Sequence, residues 1–449
     1  MKEITIVGGG LSGCEAALQA AERGINVTLF EMRPQMSTGA HQTDKLAELV
    51  CSNSLGSELP TRPTGLLMSE LEKLGSHLIR IAKSCRVPAG HALAIDREIF
   101  SQNVTNEVTN HPNIQVVRQE ISSIPTGKVL IASGPLTSEK LCNAINKITG
   151  LENLFFYDAI APIIAYESIN MQVAFWGSRY GRGERKKGDY INCPFDKRSY
   201  SHFVEQLVNA ERIQLRSFEQ QVDSGVRAGK SSFFEGCLPI EVMAQRGERT
   251  LAFGPLRPVG LTIPHKPDKP YAIVQLRQDD INGDTFNLVG FQTNLKYSEQ
   301  KRVFRMIPGL ENAEFIRLGQ MHRNTFLASP IILNSKFQLK NDPNISFCGQ
   351  ITGVEGYLSN IASGLFSGIN IANDLDGRKT YNFPITTMIG ALFNYVTSTS
   401  MEDFQPMKPN FGLLPPLSAP VKPKKARYES YSRRAQQDLD NFLADHAII

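Results

Sequence analysis

Ile4-Thr5-Ile6-Val7 is a short, uncharged, largely apolar run and reads as a buried strand. Gly8-Gly9-Gly10-Leu11-Ser12-Gly13 follows, and residues 14–23 are Ala-rich and good helix formers. Gly24 ends that pattern, and Asn26-Val27-Thr28-Leu29-Phe30 is a second strand closing on Glu31. The order strand, tight turn, helix, strand is thus predicted at the outset. Two later runs are of the same kind. Val129-Leu130-Ile131-Ala132-Ser133-Gly134 lies mid-chain, and residues 344–348 form a strand ending in Gly349-Gln350. Thr352-Gly353-Val354-Glu355-Gly356-Tyr357 then leads into a small-residue helix over 359–372. From about 160 to 291 the texture changes, with strand-like runs at 161–167, 271–276 and 285–291 and the only Trp. Beyond Pro406 the chain is rich in Pro and Lys, which predicts an extended segment. A last helix is expected over 429–445, and no internal repeat is visible.

The chain has 449 residues, 41% hydrophobic and 20% charged. At about 150 residues per domain this predicts two to three domains. No run of 18 or more apolar residues exists, and the N-terminus lacks the apolar core of a secretory signal. A cytoplasmic protein with no membrane association is expected, as a monomer or weak homodimer. The seven cysteines, Cys14, Cys51, Cys85, Cys142, Cys193, Cys237 and Cys348, show no C-x-x-C spacing. A disulfide framework and a metal site are therefore not expected. Net charge is only +4, but it is unevenly spread. Residues 179–187 carry five positive charges against one negative, with Arg182, Arg185, Lys186 and Lys187 as candidate RNA phosphate contacts. The tail adds a second basic cluster from Lys422 to Arg434.

Gly8 to Gly13 satisfies G-x-G-x-x-G in its full strand–turn–helix–strand setting. Gly8 allows the tight turn, Gly10 lets backbone N–H groups approach a pyrophosphate, and Gly13 lets the helix pack on the strand. Gly8, Gly9, Gly10, Leu11, Ser12 and Gly13 are the candidate dinucleotide contacts. Glu31, placed to accept from a ribose hydroxyl, and Arg33 join them. The late strand–Gly–helix element resembles the second flavin-contact segment of two-part FAD enzymes. Gly349, Gln350, Thr352 and Gly353 are its candidate contacts. No second complete glycine unit exists for a nicotinamide nucleotide, so NAD(P)H would visit transiently. The expected fold is α/β: a discontinuous Rossmann-like FAD-binding domain (1–155 and 292–449) with an inserted α+β domain (156–291).

Several motifs have no reason to recur in general FAD enzymes: E-L-V-C-S-N-S-L at 48–55, F-E-G-C-L-P-I-E at 234–241, G-P-L-R-P-V-G-L at 254–261, M-H-R-N-T-F at 321–326, G-Q-I-T-G-V-E-G-Y at 349–357 and N-F-G-L-L-P-P-L at 410–417. With the N-terminal G-G-G-L-S-G-C-E-A-A, they make the whole chain resemble the bacterial folate- and FAD-dependent tRNA (uracil-5-)-methyltransferases. The resemblance implies formation of ribothymidine in the T-loop of tRNA. The one-carbon unit would come from 5,10-methylenetetrahydrofolate, with NAD(P)H as reductant. It also implies Cys237 as the nucleophile on uracil C6 and Cys51 as the C5 base or a flavin partner, an assignment that can be exchanged. His322 would stack on the pterin ring, or the same polar cluster would hold the folate tail or brace the loop. A ribosomal RNA or the wobble uridine of tRNA is the alternative substrate within this chemistry. A small-molecule flavin oxidoreductase is the alternative outside it, and such an enzyme has no need of the paired cysteine motifs.

Overall fold

A computed structural model describes residues 2–151, 154–213, 238–264 and 269–446. Strand β1 (Glu3–Val7), helix α1 (Leu11–Ala21) and strand β2 (Asn26–Glu31) appear in the expected order. They sit in a six-stranded sheet ordered Gln338–Leu339, Asp342–Phe347, Val129–Ile131, β1, β2, Ile114–Arg118. All are parallel except the edge strand Gln338–Leu339. A parallel sheet is covered on both faces, so its strands read as nearly continuous apolar runs. Ile6, Leu29, Val129, Leu130 and Ile131 are accordingly buried.

Helix Tyr357–Leu375 lies against α1. A Cβ on Gly364 would fall 2.2 Å from the Ser12 carbonyl oxygen, so the two backbones touch there. That contact accounts for the small residues along this helix and ties the late element to the glycine turn.

A second six-stranded sheet is antiparallel, ordered Phe175–Gly177, Tyr190–Phe195, Ala272–Gln278, Thr285–Leu288, Ile163–Ala165, Phe315–Arg317. Its core joins Ile191, Phe195, Val274 and Phe286 to Tyr200, Phe203 and Leu207 of helix Lys197–Asn209. The same core takes in Val303, Phe304, Ile307 and Leu310, C-terminal of residue 291, where the sequence reading places the end of the insertion. Periodicity shows that a short strand exists but not which sheet it joins. The run at 161–167 shortens to Ile163–Ala165 because Tyr166–Ser168 closes a 3-10 turn, with the Ile169 N–H donating to the Tyr166 carbonyl.

The chain passes between the two bodies through one antiparallel pair, Leu154–Ala159 with Met321–Phe326. A third unit, not expected from the apolar pattern, lies between β2 and Val129–Ile131. It holds helices Pro63–Lys73, His77–Ser84 and Arg97–Asn110, and a small sheet of Ser54–Ser57, Arg86–Val87 and Ala92–Ile95. The last helix begins five residues earlier than expected, as Lys424–His446. It packs through Ala435 and Leu439, and Tyr428 and Tyr431 meet Phe411 of the Pro-rich segment. Among the described residues no helix is long and apolar enough to cross a membrane.

Candidate active site

The carboxyl ends of β1 and Val129–Ile131 meet where the sheet's strand order changes direction, the usual ligand crevice of such sheets. A cleft of about 980 Å³ opens there, lined by Val7 to Ser12, Glu31, Arg33, Ala132 to Ser138 and Gln350. The glycines of the turn divide by cause. Gly8 has φ +113°, and a Cβ on it would lie 2.5 Å from the Ala132 carbonyl oxygen; at Gly13 the clash with the Gly8 carbonyl oxygen would be at 1.9 Å. The fold itself requires these two. Gly10 has φ −80°, and a Cβ there would meet nothing within 4 Å. None of the described residues excludes a Cβ at Gly10, yet Gly10 lines the cleft at the N-terminus of α1. This open cradle fits an anionic group drawn close to backbone N–H groups.

Glu31 is buried behind the turn. One oxygen accepts the Gly9 N–H (3.0 Å), and the other accepts the Arg33 N–H (3.0 Å) and its Nε (2.9 Å). Burial opposes ionisation, but the Arg33 guanidinium and the backbone donors prevail and hold the carboxyl below its ordinary range. An ionised carboxylate has about four lone-pair sites, so Glu31 keeps capacity for a further donor from the cleft. Arg33 is a brace, buried and also donating to Thr43 O and Glu48 Oε2 (both 3.1 Å). His41 lines the same wall; burial and the Arg33 charge push its imidazole down to about 4, so it is neutral near pH 7.

In the late segment, the Gly349 N–H donates to Ser363 Oγ (2.8 Å), and the Thr352 hydroxyl donates to the Gly349 carbonyl (2.8 Å). Gly349, Thr352 and Gly353 shape this turn, while Gln350 reaches the cleft surface.

A second cleft of about 1170 Å³ adjoins the first and shares Val50, Pro135, Leu136, Gln350 and Tyr357 with it. Cys51 lies at this seam, with Ser52, Ser54, Asn324 and Lys408. The Cys51 N–H donates to the Tyr357 hydroxyl (2.8 Å). Three arginines hold the segment around the thiol. Arg97 donates to the carbonyls of Leu49 (3.3 Å) and Cys51 (3.2 Å), Arg317 to Val50 O (3.0 Å), and Arg277 to Asn53 Oδ1 (2.8 Å). Among the described residues, Arg97 alone of the three has a carboxylate in direct contact, Asp279 at 2.7 Å, which keeps its charge firm despite burial. Burial lowers Arg277 and Arg317 below the ordinary arginine range. All three lie within electrostatic reach of Cys51, and positive surroundings favour a thiolate. Desolvation, with Cys51 beside it, pushes the Tyr357 phenol well above its usual range, so it stays a neutral hydroxyl.

Comparison with known proteins shows which family the chain belongs to. A family model described as glucose inhibited division protein A matches residues 3–379. A protein of Natranaerobius thermophilus named methylenetetrahydrofolate–tRNA-(uracil-5-)-methyltransferase TrmFO is 51% identical over 98% of this chain and 99% of its own. Its namesake in Heliobacterium modesticaldum is 50% identical over 99% of each chain. The chain belongs to this methyltransferase family. Its motif resemblance is thereby confirmed. Among solved structures, Aquifex aeolicus GidA matches with a TM-score of 0.68 at 15% identity, covering 98% of this chain and 73% of that one. That likeness shows a shared fold and agrees with the expected α/β class.

For a member of the methyltransferase family, the placement of the remaining predicted residues is informative. Cys237 lies outside the described residues. His322 sits in the connecting strand opposite Asp158, and the same strand delivers Asn324 to the second cleft. Arg182, Arg185, Lys186 and Lys187 line neither cleft and lie in the loop from Ser178 to Gly188 at the edge of the second sheet. Cys14, Cys85, Cys193 and Cys348 are buried; burial pushes the Cys14 and Cys193 thiols up strongly, and Cys348 to about 12. Tyr357, Arg97, Arg277 and Arg317 carry no sequence-based assignment. Tyr357 falls inside a recognised motif, whereas the arginines come from distant segments that only folding brings together.

Proposed function

We propose that the chain transfers a one-carbon unit from 5,10-methylenetetrahydrofolate to C5 of a T-loop uracil in tRNA, in the cytoplasm, with NAD(P)H as reductant. The seam carries this reading. The glycine-turn cleft and the Cys51 cleft share a wall, so a dinucleotide anchored at Gly10 and a base reaching Cys51 occupy adjoining space. Family membership supports the substrate class.

Residues Gly8 to Ser12, Glu31 and Gln350 would hold FAD, which when bound supplies the reducing equivalents that turn the transferred methylene into methyl. The chain's own groups handle the uracil. C5 is a weak nucleophile until a thiolate adds to C6 and makes it enolate-like. The Cys237 thiolate forms that C6–S bond, and C5 then bonds to the one-carbon carbon. One carbon–nitrogen bond of the donor opens as C5 attacks; Cys51 then takes the C5 proton and the second carbon–nitrogen bond breaks, its electron pair leaving on the folate nitrogen. A hydride equivalent added to the resulting exocyclic methylene re-forms C5=C6, and the C6–S bond breaks with return of its electron pair to sulfur. Arg97, Arg277 and Arg317 favour the thiolate form of Cys51, and Tyr357 fixes its backbone. His322 is assigned to the pterin ring.

The test is incubation with labelled methylenetetrahydrofolate, NADPH and transcripts of tRNA or ribosomal RNA. Label should enter tRNA; label in neither RNA overturns the reading, and label from S-adenosylmethionine overturns the donor. RNA carrying 5-fluorouracil at the target should trap a covalent adduct at Cys237, because fluorine at C5 does not leave as a proton does. Cys51→Ala should stop turnover while C6 addition persists. An adduct mapped to Cys51 would exchange the two roles.

A further inference from the structure

The loop joining Phe175–Gly177 to Tyr190–Phe195 is firmly built. Asp189 is fully buried, and its carboxylate accepts the N–H groups of Gly90 (2.7 Å), Glu184 (3.0 Å) and Arg185 (3.0 Å). Its own N–H donates to Ser178 Oγ (2.9 Å). Within this frame Tyr180 takes a left-handed conformation, φ 57° and ψ 27°. A residue with a Cβ keeps that conformation only where its surroundings over-determine it. Here the Tyr180 N–H donates to the Gly260 carbonyl (2.7 Å), and the ring lies on Gly260 itself, where a Cβ would come within 2.9 Å of it.

The strain brings no burial, since Tyr180 remains 59% exposed. What it does is hold an aromatic face outward among cations. The Arg182 guanidinium is 5.4 Å from the ring centroid. Arg179, beside it, donates to Val259 O (2.8 Å) and Gln275 Oε1 (2.9 Å) and feels the repulsion of Arg257. Further along, Lys187 and Arg185 stand 4.0 and 5.8 Å from the Trp176 ring centroid. A solvated charge run has no need of a left-handed tyrosine fixed by two separate segments. A rigid exposed ring with the Arg182 guanidinium over it is what an unpaired base and its phosphate require. The loop also touches the third unit, where the Tyr190 hydroxyl donates to Ala89 O (3.0 Å). Ala89 precedes Ala92–Ile95, the strand paired with Ser54–Ser57 just beyond Cys51.

We propose that Tyr180 and Arg182 form a stacking platform for an unpaired base of the substrate RNA, at a point separate from the reacting uridine. This rests on the RNA-methylating function proposed above. The test uses the full chain, a tRNA transcript and an RNA duplex of equal phosphate count, with affinity followed against salt. Tyr180→Asn removes the ring and suits the left-handed backbone. It should weaken tRNA binding about 5- to 100-fold, leave duplex binding unchanged, and keep the slope of log K against log salt. Tyr180→Phe should bind like the unmodified protein, and Arg182→Ala should lower the slope by about one. Ring deletion with unchanged tRNA affinity overturns the platform, as does an equal loss on the duplex. If the unmodified protein methylates tRNA in that case, only the platform fails. If it neither binds nor methylates RNA, the functional reading fails and the platform with it.

Discussion

Gly10 and Arg277 show how single positions separate folding from chemistry. A Cβ at Gly10 meets no atom of the described residues within 4 Å, so Gly10→Val should cost about 1 kcal/mol of stability in the absence of cofactor. It should nonetheless give colourless protein, because the valine stands where a pyrophosphate must approach. Flavin absorbance beside a thermal melt checks both halves; full FAD content would move the dinucleotide elsewhere. Arg277 bears on Cys51 by charge and through Asn53. Arg277→Met should slow alkylation of Cys51 by iodoacetamide at neutral pH, because it removes a positive charge coupled to the thiol. Arg277→Lys should retain most of the rate. An unchanged rate in the Met variant would leave Arg277 only its hydrogen bond to Asn53. The glycine turn was legible in the sequence because its residues are consecutive. The arginine clamp was not, because Arg97, Arg277 and Arg317 acquire meaning only when two sheets bring them to one segment.

At the scale of elements, helix caps decide how the third unit joins the parallel-sheet body. Glu70, buried in helix Pro63–Lys73, accepts the N–H groups of Met388 and Ile389 (both 2.8 Å) and so caps helix Met388–Ser398. Burial pushes its carboxyl up to about 8, against the capping bonds that favour the charged form. In the unfolded chain a glutamate titrates near about 4.3. The folded state therefore binds the proton more tightly, and the stabilisation is full below about pH 4 and lost as pH rises towards 8. Glu70→Gln keeps one acceptor and does not titrate, so it should cost about 1 kcal/mol at pH 5. Between pH 5 and 8 in denaturant unfolding the gap should close and change sign, leaving the Gln variant the more stable at pH 8. A gap that widened over that range would mean the carboxylate is charged in the fold.

Across the whole molecule, charge is divided by function. The cations around Cys51 are spent on carbonyls, an amide and the Asp279 carboxylate, whereas in the loop from Ser178 to Gly188 Arg182 and Lys186 are exposed and Arg185 and Lys187 lie over Trp176. Changing Arg182, Arg185, Lys186 and Lys187 together to Ala should weaken RNA binding roughly uniformly across sequences. It should also flatten the salt dependence by about one counterion per lost phosphate contact. An unchanged slope would assign the loop to solvent.

The sequence alone determined the elements whose information is local: β1, the glycine turn, α1, β2, the late strand–turn–helix and the family motifs. Backbone sterics and apolar periodicity act over a few residues, so consecutive letters suffice to state them. The tertiary structure alone decided that helix Tyr297–Phe304 and strand Phe315–Arg317 complete the second core, that Glu31 is tied to Arg33, and that Tyr357 meets Cys51. It also decided that Tyr180 is held open in a strained turn. Contacts of this kind depend on which surfaces meet across hundreds of residues, and neither composition nor period encodes that meeting.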